Sequence, residues 1–161
     1  MSVTTQLRLT SPAFTEGGAI PAMYTCDGEN VSPPLSWEPG PAGTAAWVLI
    51  AEDPDARLWV HWLVVNLPAE TTSLPEGVSG NLPPGAVEGE TDFGSATYGG
   101  PCPPSGEEHR YTFTLYALSE PLVQGAELAA APVRAQMFGK VLGEGTLTGR
   151  FTRASASKGG Q

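Results

Sequence analysis

Four apolar runs divide the chain, and each is closed by turn-forming residues. "TAAWVLIAE" (44–52) is almost continuously apolar and ends at "DPD", which predicts a strand buried on both faces. "VHWLVVNL" (60–67) has strand length and stops at Pro68. "HRYTFTLYAL" (109–118) alternates, with His109, Tyr111, Phe113, Leu115 and Ala117 on one face and Arg110, Thr112, Thr114 and Tyr116 on the other. "GTLTGRFTR" (145–153) reads as a last strand. Helical spacing is confined to "GAELAAAPVRAQMFGKVLG" (125–143), where Val133, Met137 and Val141 recur every four residues. Pro132 suits its first turn and Gly143 its end. Between these elements, 69–108 shows little periodicity, and a loop of that length in a compact domain is usually functional. The pattern predicts one mainly β domain over 1–153, a β-sandwich with one helix near the C-terminus. The polar tail "ASASKGGQ" (154–161) is expected to be disordered.

Composition sharpens this picture. Gly 20 and Pro 16 in 161 residues demand many turns and leave little room for long helices. No run approaches the roughly 20 apolar residues that span a bilayer. "MSVTTQLRLTSPAF" has no basic region followed by an apolar one, so a cytoplasmic protein is expected. The net charge of −9, with eight Lys and Arg in total, argues against nucleic acid, whose phosphates need cationic partners. Five of those cations (Arg134, Lys140, Arg150, Arg153 and Lys158) fall at the C-terminal end, where they read as solvated surface. Stable membrane insertion or attachment is not expected without an amphipathic basic helix. Cys26 and Cys102 form no metal-ligand spacing.

The candidate chemistry lies at the strand ends. His61 follows an acidic turn containing Glu52, Asp53 and Asp55, and His109 follows a Pro/Gly-rich loop. By the two-residue period His61 shares a face with Leu63, Val65 and Leu67, and His109 with Tyr111, Phe113 and Leu115. If both faces point inward, the imidazoles and the Tyr111 hydroxyl meet where the core opens. Such a set could ligate zinc, perform acid–base catalysis, or hold a small anion. It is no recognised metal motif, and there is no G-x-S-x-G elbow or Walker loop. For an anion site the carboxylates would orient and charge the histidine rather than touch the ligand.

"CDGENVSPPLSW" (26–37), "DPDA" (53–56) with "VHW" (60–62), and "YGGPCPPSGEEHRYTFTLYAL" (98–118) resemble the phosphatidylethanolamine-binding protein family, in its compact bacterial and archaeal branch. The resemblance implies a Greek-key-like β-sandwich with an anion pocket at one end. It implies a lining of Asp53, Asp55, His61, His109 and Tyr111, with Trp59 and the loop residues Gly100, Pro101 and Pro103 at the mouth. It also implies a phosphate or phosphorylethanolamine-like ligand and a role as a modulator of kinases or proteases. No cofactor or metal is implied, and members of the family are not established as enzymes. Arg57 departs from the family's proline and Val60 from a histidine of many eukaryotic members. If both cysteine segments border the pocket, Cys26 and Cys102 come within reach of a disulfide, although cytoplasmic thiols are normally reduced.

The expectation is therefore a binding module for a small phosphate-like anion or lipid head group, compatible with a homodimer or a kinase or protease partner. In that reading Asp53 orients and charges His61, Asp55 supports the turn, and His109 and Tyr111 donate to the ligand. The alternative is a metal- or acid/base-dependent phosphoester hydrolase using the same Asp/His pocket.

Overall fold

A computed structural model describes residues 4–123 and 128–153. The predicted tail, and the start of the predicted helix, lie outside the described residues. The strands are β1 (Thr5–Gln6), β2 (Leu35–Ser36), β3 (Ala46–Asp53), β4 (Trp59–Pro68), β5 (Ser73–Leu74), β6 (Val87–Glu88), β7 (Glu108–Leu118) and β8 (Val141–Thr152), with helix α1 (Ala130–Met137) before the last. Six of them form one sheet in the order β1-β8-β7-β3-β4-β6, and β2 pairs with β5 in a second, small sheet. The mainly β expectation with one helix near the C-terminus holds, and the 69–108 stretch contains β5 and β6.

Burial follows from strand position. β3 lies between β4 and β7, so all eight of its residues are buried, as its continuous apolar run predicts. Trp47, Leu49 and Ala51 face a core that includes Phe14, Leu35 and Leu74, from the N-terminal segment and the small sheet. Val48 and Ile50 face the other side, where Val133 and Met137 of α1 cover the sheet.

The helix is shorter than its spacing predicts. It ends at Met137, where Gly139 takes a left-handed conformation (φ 83°) and Lys140 N–H closes the turn onto the Met137 carbonyl. Val141, expected on the helix face, begins β8 and pairs with Leu118. The antiparallel ladder with β7 thus extends the last strand four residues beyond its expected start, and Gly143 lies within it rather than ending the helix.

Strand β4 is irregular in two places. Its pairing with β3 shifts between Trp47/Leu49 and again between Ala51/Glu52. At the first shift Asn66 has φ 57°, and its buried amide receives Leu122 N–H at 2.8 Å and donates to the Leu122 carbonyl at 3.0 Å. That pair fastens the chain after β7 against the sheet. Asn66→Ala is expected to destabilise the fold by about 2–3 kcal/mol, since it orphans buried backbone groups and leaves a Cβ in left-handed backbone. Asn66→Gly relieves the backbone but not the lost bonds, and should cost less. Urea unfolding of both variants checks this.

Candidate functional site

At the end of β3 the chain turns through a single 3-10 turn, Pro54–Ala56. Asp53 starts it, its Oδ1 accepting the Asp55 N–H at 2.7 Å. Arg57 and Leu58 both adopt left-handed backbone (φ 55° and 59°), which returns the chain into β4. Asp55 faces away from the cavity. It accepts from Arg110 N–H at 2.8 Å and from the Arg110 guanidinium at 2.9 and 3.2 Å, clamping the turn onto β7. The guanidinium and backbone bonds of Arg110 hold the Asp55 carboxyl down at about 2. Its expected role in supporting the turn agrees with this geometry; its expected place in the lining does not.

The second irregularity of β4 brings His61 to the site. Ala51 pairs with Trp62 while Glu52 pairs with Val60, so β4 carries one extra residue there. Val60, Leu63 and Val65 belong to the helix-side core, whereas Trp62, Val64 and Leu67 belong to the other. Across the bulge His61 joins the second group, its ring 5.2 Å from that of Tyr111. The expected face with Leu63 and Val65 is therefore wrong, although Leu67 does share it. The meeting of His61 with Tyr111 depends on the bulge.

The cavity is about 220 Å³, lined by Asp53, Ala56, Trp59, His61, Phe93, Cys102, Pro103, Pro104, His109 and Tyr111. It is smaller than typical drug-sized pockets. Asp53, His61, His109, Tyr111, Trp59 and Pro103 are brought together as expected. Gly100 and Pro101 stand behind the wall instead. Gly100 N–H donates to Asn30 Oδ1 at 2.8 Å, and any Cβ there would collide with the Tyr24 carbonyl; Pro101 O accepts Cys26 N–H at 3.1 Å. Cys26 and Cys102 are joined in a disulfide, so both belong to this tether. Phe93 is missing from the sequence-based set. It is 48% exposed, edge-on to both His61 and Trp59, and its place as the aromatic side chain of the polar run "ETDFGSAT" (90–97) was its only signal.

The two imidazoles are pushed in opposite directions. His61 Nδ1–H donates to the Gly99 carbonyl at 2.6 Å, which leaves Nε2 as a lone-pair acceptor in the neutral ring. Burial pushes the pKa of His61 down, against the opposing pull of Gly99 and Asp53. For His109 burial also acts downward, but it is outweighed by Asp53, whose Oδ2 accepts from Nδ1 at 2.6 Å, and the net shift is upward. Asp53 thus orients and charges His109, and not His61 as expected. Tyr111 Oη is buried with no hydrogen-bond partner of good geometry among the described residues. Burial, then the charges of Asp53 and Asp55, hold it protonated, so it keeps a donor to offer.

Comparison with known proteins places the chain in a lineage. Residues 10–152 match the phosphatidylethanolamine-binding protein family. The chain belongs to that family. A UPF0098 protein of Methanothermobacter thermautotrophicus is 46% identical over 151 residues, covering 91% of this chain and 99% of the relative. Among solved structures, a family homologue from Chlamydia trachomatis superposes with a TM-score of 0.84 at 36% identity, covering 93% of this chain and 99% of that one. YbcL of Escherichia coli, described as a new member of the mammalian PEBP family, gives 0.83 at 32%, covering 91% and 98%. These relatives fit the bacterial and archaeal branch of the family.

Two outcomes follow from the geometry. In an NMR titration, His109 should titrate above the ordinary histidine value of about 6.5 and His61 below it. Asp53→Asn should bring His109 down. His109's contribution to stability is present below about pH 6.5 and is lost as pH rises through its raised folded pKa. His61 acts oppositely, costing stability as pH falls below 6.5. Reduction of the disulfide, which spans 76 residues, should lower the unfolding free energy by on the order of 4 kcal/mol in the chain-entropy view, measured by denaturant titration with and without reductant.

Proposed function

We propose that the pocket binds a small oxyanion of the phosphate class, free or as the head group of a larger molecule, and that the protein is a binding module. The observation that carries this reading is the Tyr111 hydroxyl, buried without a hydrogen-bond partner in the wall of a cavity that also holds His109, whose protonated form Asp53 favours. A buried donor without an acceptor is costly, and an anionic oxygen would satisfy it. The neutral His61 Nε2 adds a condition. It can accept a proton but not give one, so it favours a ligand that still carries a P–OH, as a phosphate monoester does below its second pKa of about 6. The same logic reconciles Asp53 with an anion site: its charge is spent on the imidazolium that faces the ligand.

A second reading has its own observation. A neutral imidazole beside a charged one is the arrangement of a general base and a general acid, which suits phosphoester hydrolysis. No serine, threonine or lysine lines the cavity among the described residues, and Cys102 is tied up in the disulfide. Hydrolysis would therefore use water as nucleophile or pass through Asp53, Tyr111 or a histidine of the lining. Action on a kinase or protease belongs to the same proposal: the exposed Leu58, Trp59 and Phe93 offer apolar surface for a partner or lipid to touch beside the pocket. No helix among the described residues is long and apolar enough to cross a membrane. The disulfide favours an oxidising compartment, against the cytoplasmic expectation.

Titration of the protein with inorganic phosphate, followed on both histidine rings, tests the binding reading. Binding should weaken as pH rises from 6 to 8. Tyr111→Phe should weaken it about tenfold or more, the cost of one hydrogen bond to a charged group. His61→Ala should weaken it as well. Unchanged affinity in both variants would remove the pocket as the site. Turnover of a phosphoester that is lost in His61→Ala and in His109→Ala would favour the hydrolase.

A further inference from the structure

His109 has two ring N–H donors in its charged form, and carboxylates hold both. Asp53 takes Nδ1 at 2.6 Å, and Glu107 Oε1 lies 3.3 Å from Nε2. The two carboxylates are not equivalent. Asp53 is 3% exposed and also holds the Asp55 N–H, so it cannot leave without dismantling the turn. The Glu107 side chain is 58% exposed, and His109 is its only hydrogen-bond or ion-pair partner among the described residues. Its backbone, by contrast, is anchored, with N–H to the Pro104 carbonyl at 3.0 Å and its own carbonyl accepting from Arg153 at 3.3 Å. The side chain can therefore swing out while the chain stays in place.

We propose that Glu107 is a built-in competitor for the oxyanion, occupying the His109 donor that a ligand needs and setting the affinity of the pocket. This inference rests on the anion-site reading above. An incoming oxygen that takes Nε2 replaces one carboxylate with another anion, so only the difference between the two contacts is gained. A Glu107 that stays nearby also repels the ligand. Both effects select against weakly bound anions and leave the site to ligands that make further contacts, such as those to Tyr111 and His61. Glu108 provides the contrast within the same sequence: its carboxylate is engaged by Arg150 at 2.9 Å and Thr152 at 3.0 Å. It is an adjacent negative charge of the same type that does not touch His109.

The test measures the affinity of inorganic phosphate near pH 6.5 and low ionic strength for the unmodified protein, Glu107→Gln, Glu107→Ala and Glu108→Gln. Both Glu107 variants should bind about two- to fivefold more tightly, the size expected of releasing one exposed carboxylate–imidazolium pair. The advantage should shrink with added salt, and Glu108→Gln should match the unmodified protein. A merely structural role for Glu107 would weaken binding or leave it alone, and either result overturns the proposal. So does an equal gain in Glu108→Gln, which would trace the effect to net charge. If phosphate binds none of the four proteins, the anion-site reading falls and this one with it; binding at equal strength by all four overturns this one alone.

Discussion

Between the pairs Ala51–Trp62 and Glu52–Val60, β4 advances two residues while β3 advances one, and the contents of the pocket depend on that extra residue. A regular strand would send His61 to the helix side, with Val60 or Trp62 displaced in turn. The bulge lets His61 and Trp62 serve the same side of the sheet at different depths. Trp62 fills the core, with its Nε1–H donating to Glu88 at 2.7 Å. His61 stands at the open end, under Phe93 and against Tyr111. Glu88 also takes Ser79 Oγ–H at 2.6 Å and Gly80 N–H at 2.8 Å, and Ser79 Oγ accepts from Tyr98 N–H at 2.9 Å. The irregularity that turns the imidazole toward the cavity is therefore braced by the loop that leads to the pocket wall.

The electrostatics of the site follow from what each ring can reach once it is placed. His61 meets a backbone carbonyl, which fixes its tautomer but supplies no full charge, so desolvation decides its state. His109 meets a carboxylate at hydrogen-bond distance, and a charge-assisted bond outweighs the burial. Two histidines on either side of Tyr111 thus line one cavity, one biased toward the neutral acceptor and the other toward the cation. A single carboxylate midway between them would have made the rings more alike.

Much of this was legible in the chain because the relevant signals are local. β3 announces itself as a run of apolar residues, β7 as a clean alternation, and the parity of Tyr111 with His109 holds because β7 is regular over that span. What was hidden is relational. No residue type in "VHWLVV" marks a bulge, so period two assigned His61 to Leu63 and Val65 while the three-dimensional register assigns it to Tyr111. The partner of Asp53 was equally hidden, since nearness in sequence favours His61 and nearness in space favours His109, 56 residues away. The helix end failed for a related reason: spacing by four continues through Val141, but the ladder with β7 competes for that residue and wins.

The wall that holds His61 carries a further constraint. Residues 24–30 and 98–102 are stitched by the disulfide, by Tyr98 Oη–H to the Tyr24 carbonyl at 2.7 Å, and by the Gly100–Asn30 and Cys26–Pro101 bonds. Gly99, whose carbonyl holds His61, lies inside that stitched segment, and a side chain on it would strike the Phe93 ring. The carbonyl is thereby fixed by these tethers and by Gly99 N–H, which donates to the His61 carbonyl at 2.9 Å. A mobile carbonyl would let the imidazole rotate and exchange its tautomers. Held still, it keeps Nε2 as the acceptor of the neutral ring, and the proposed preference for a protonated oxyanion would then be a property of the loop as much as of the histidine.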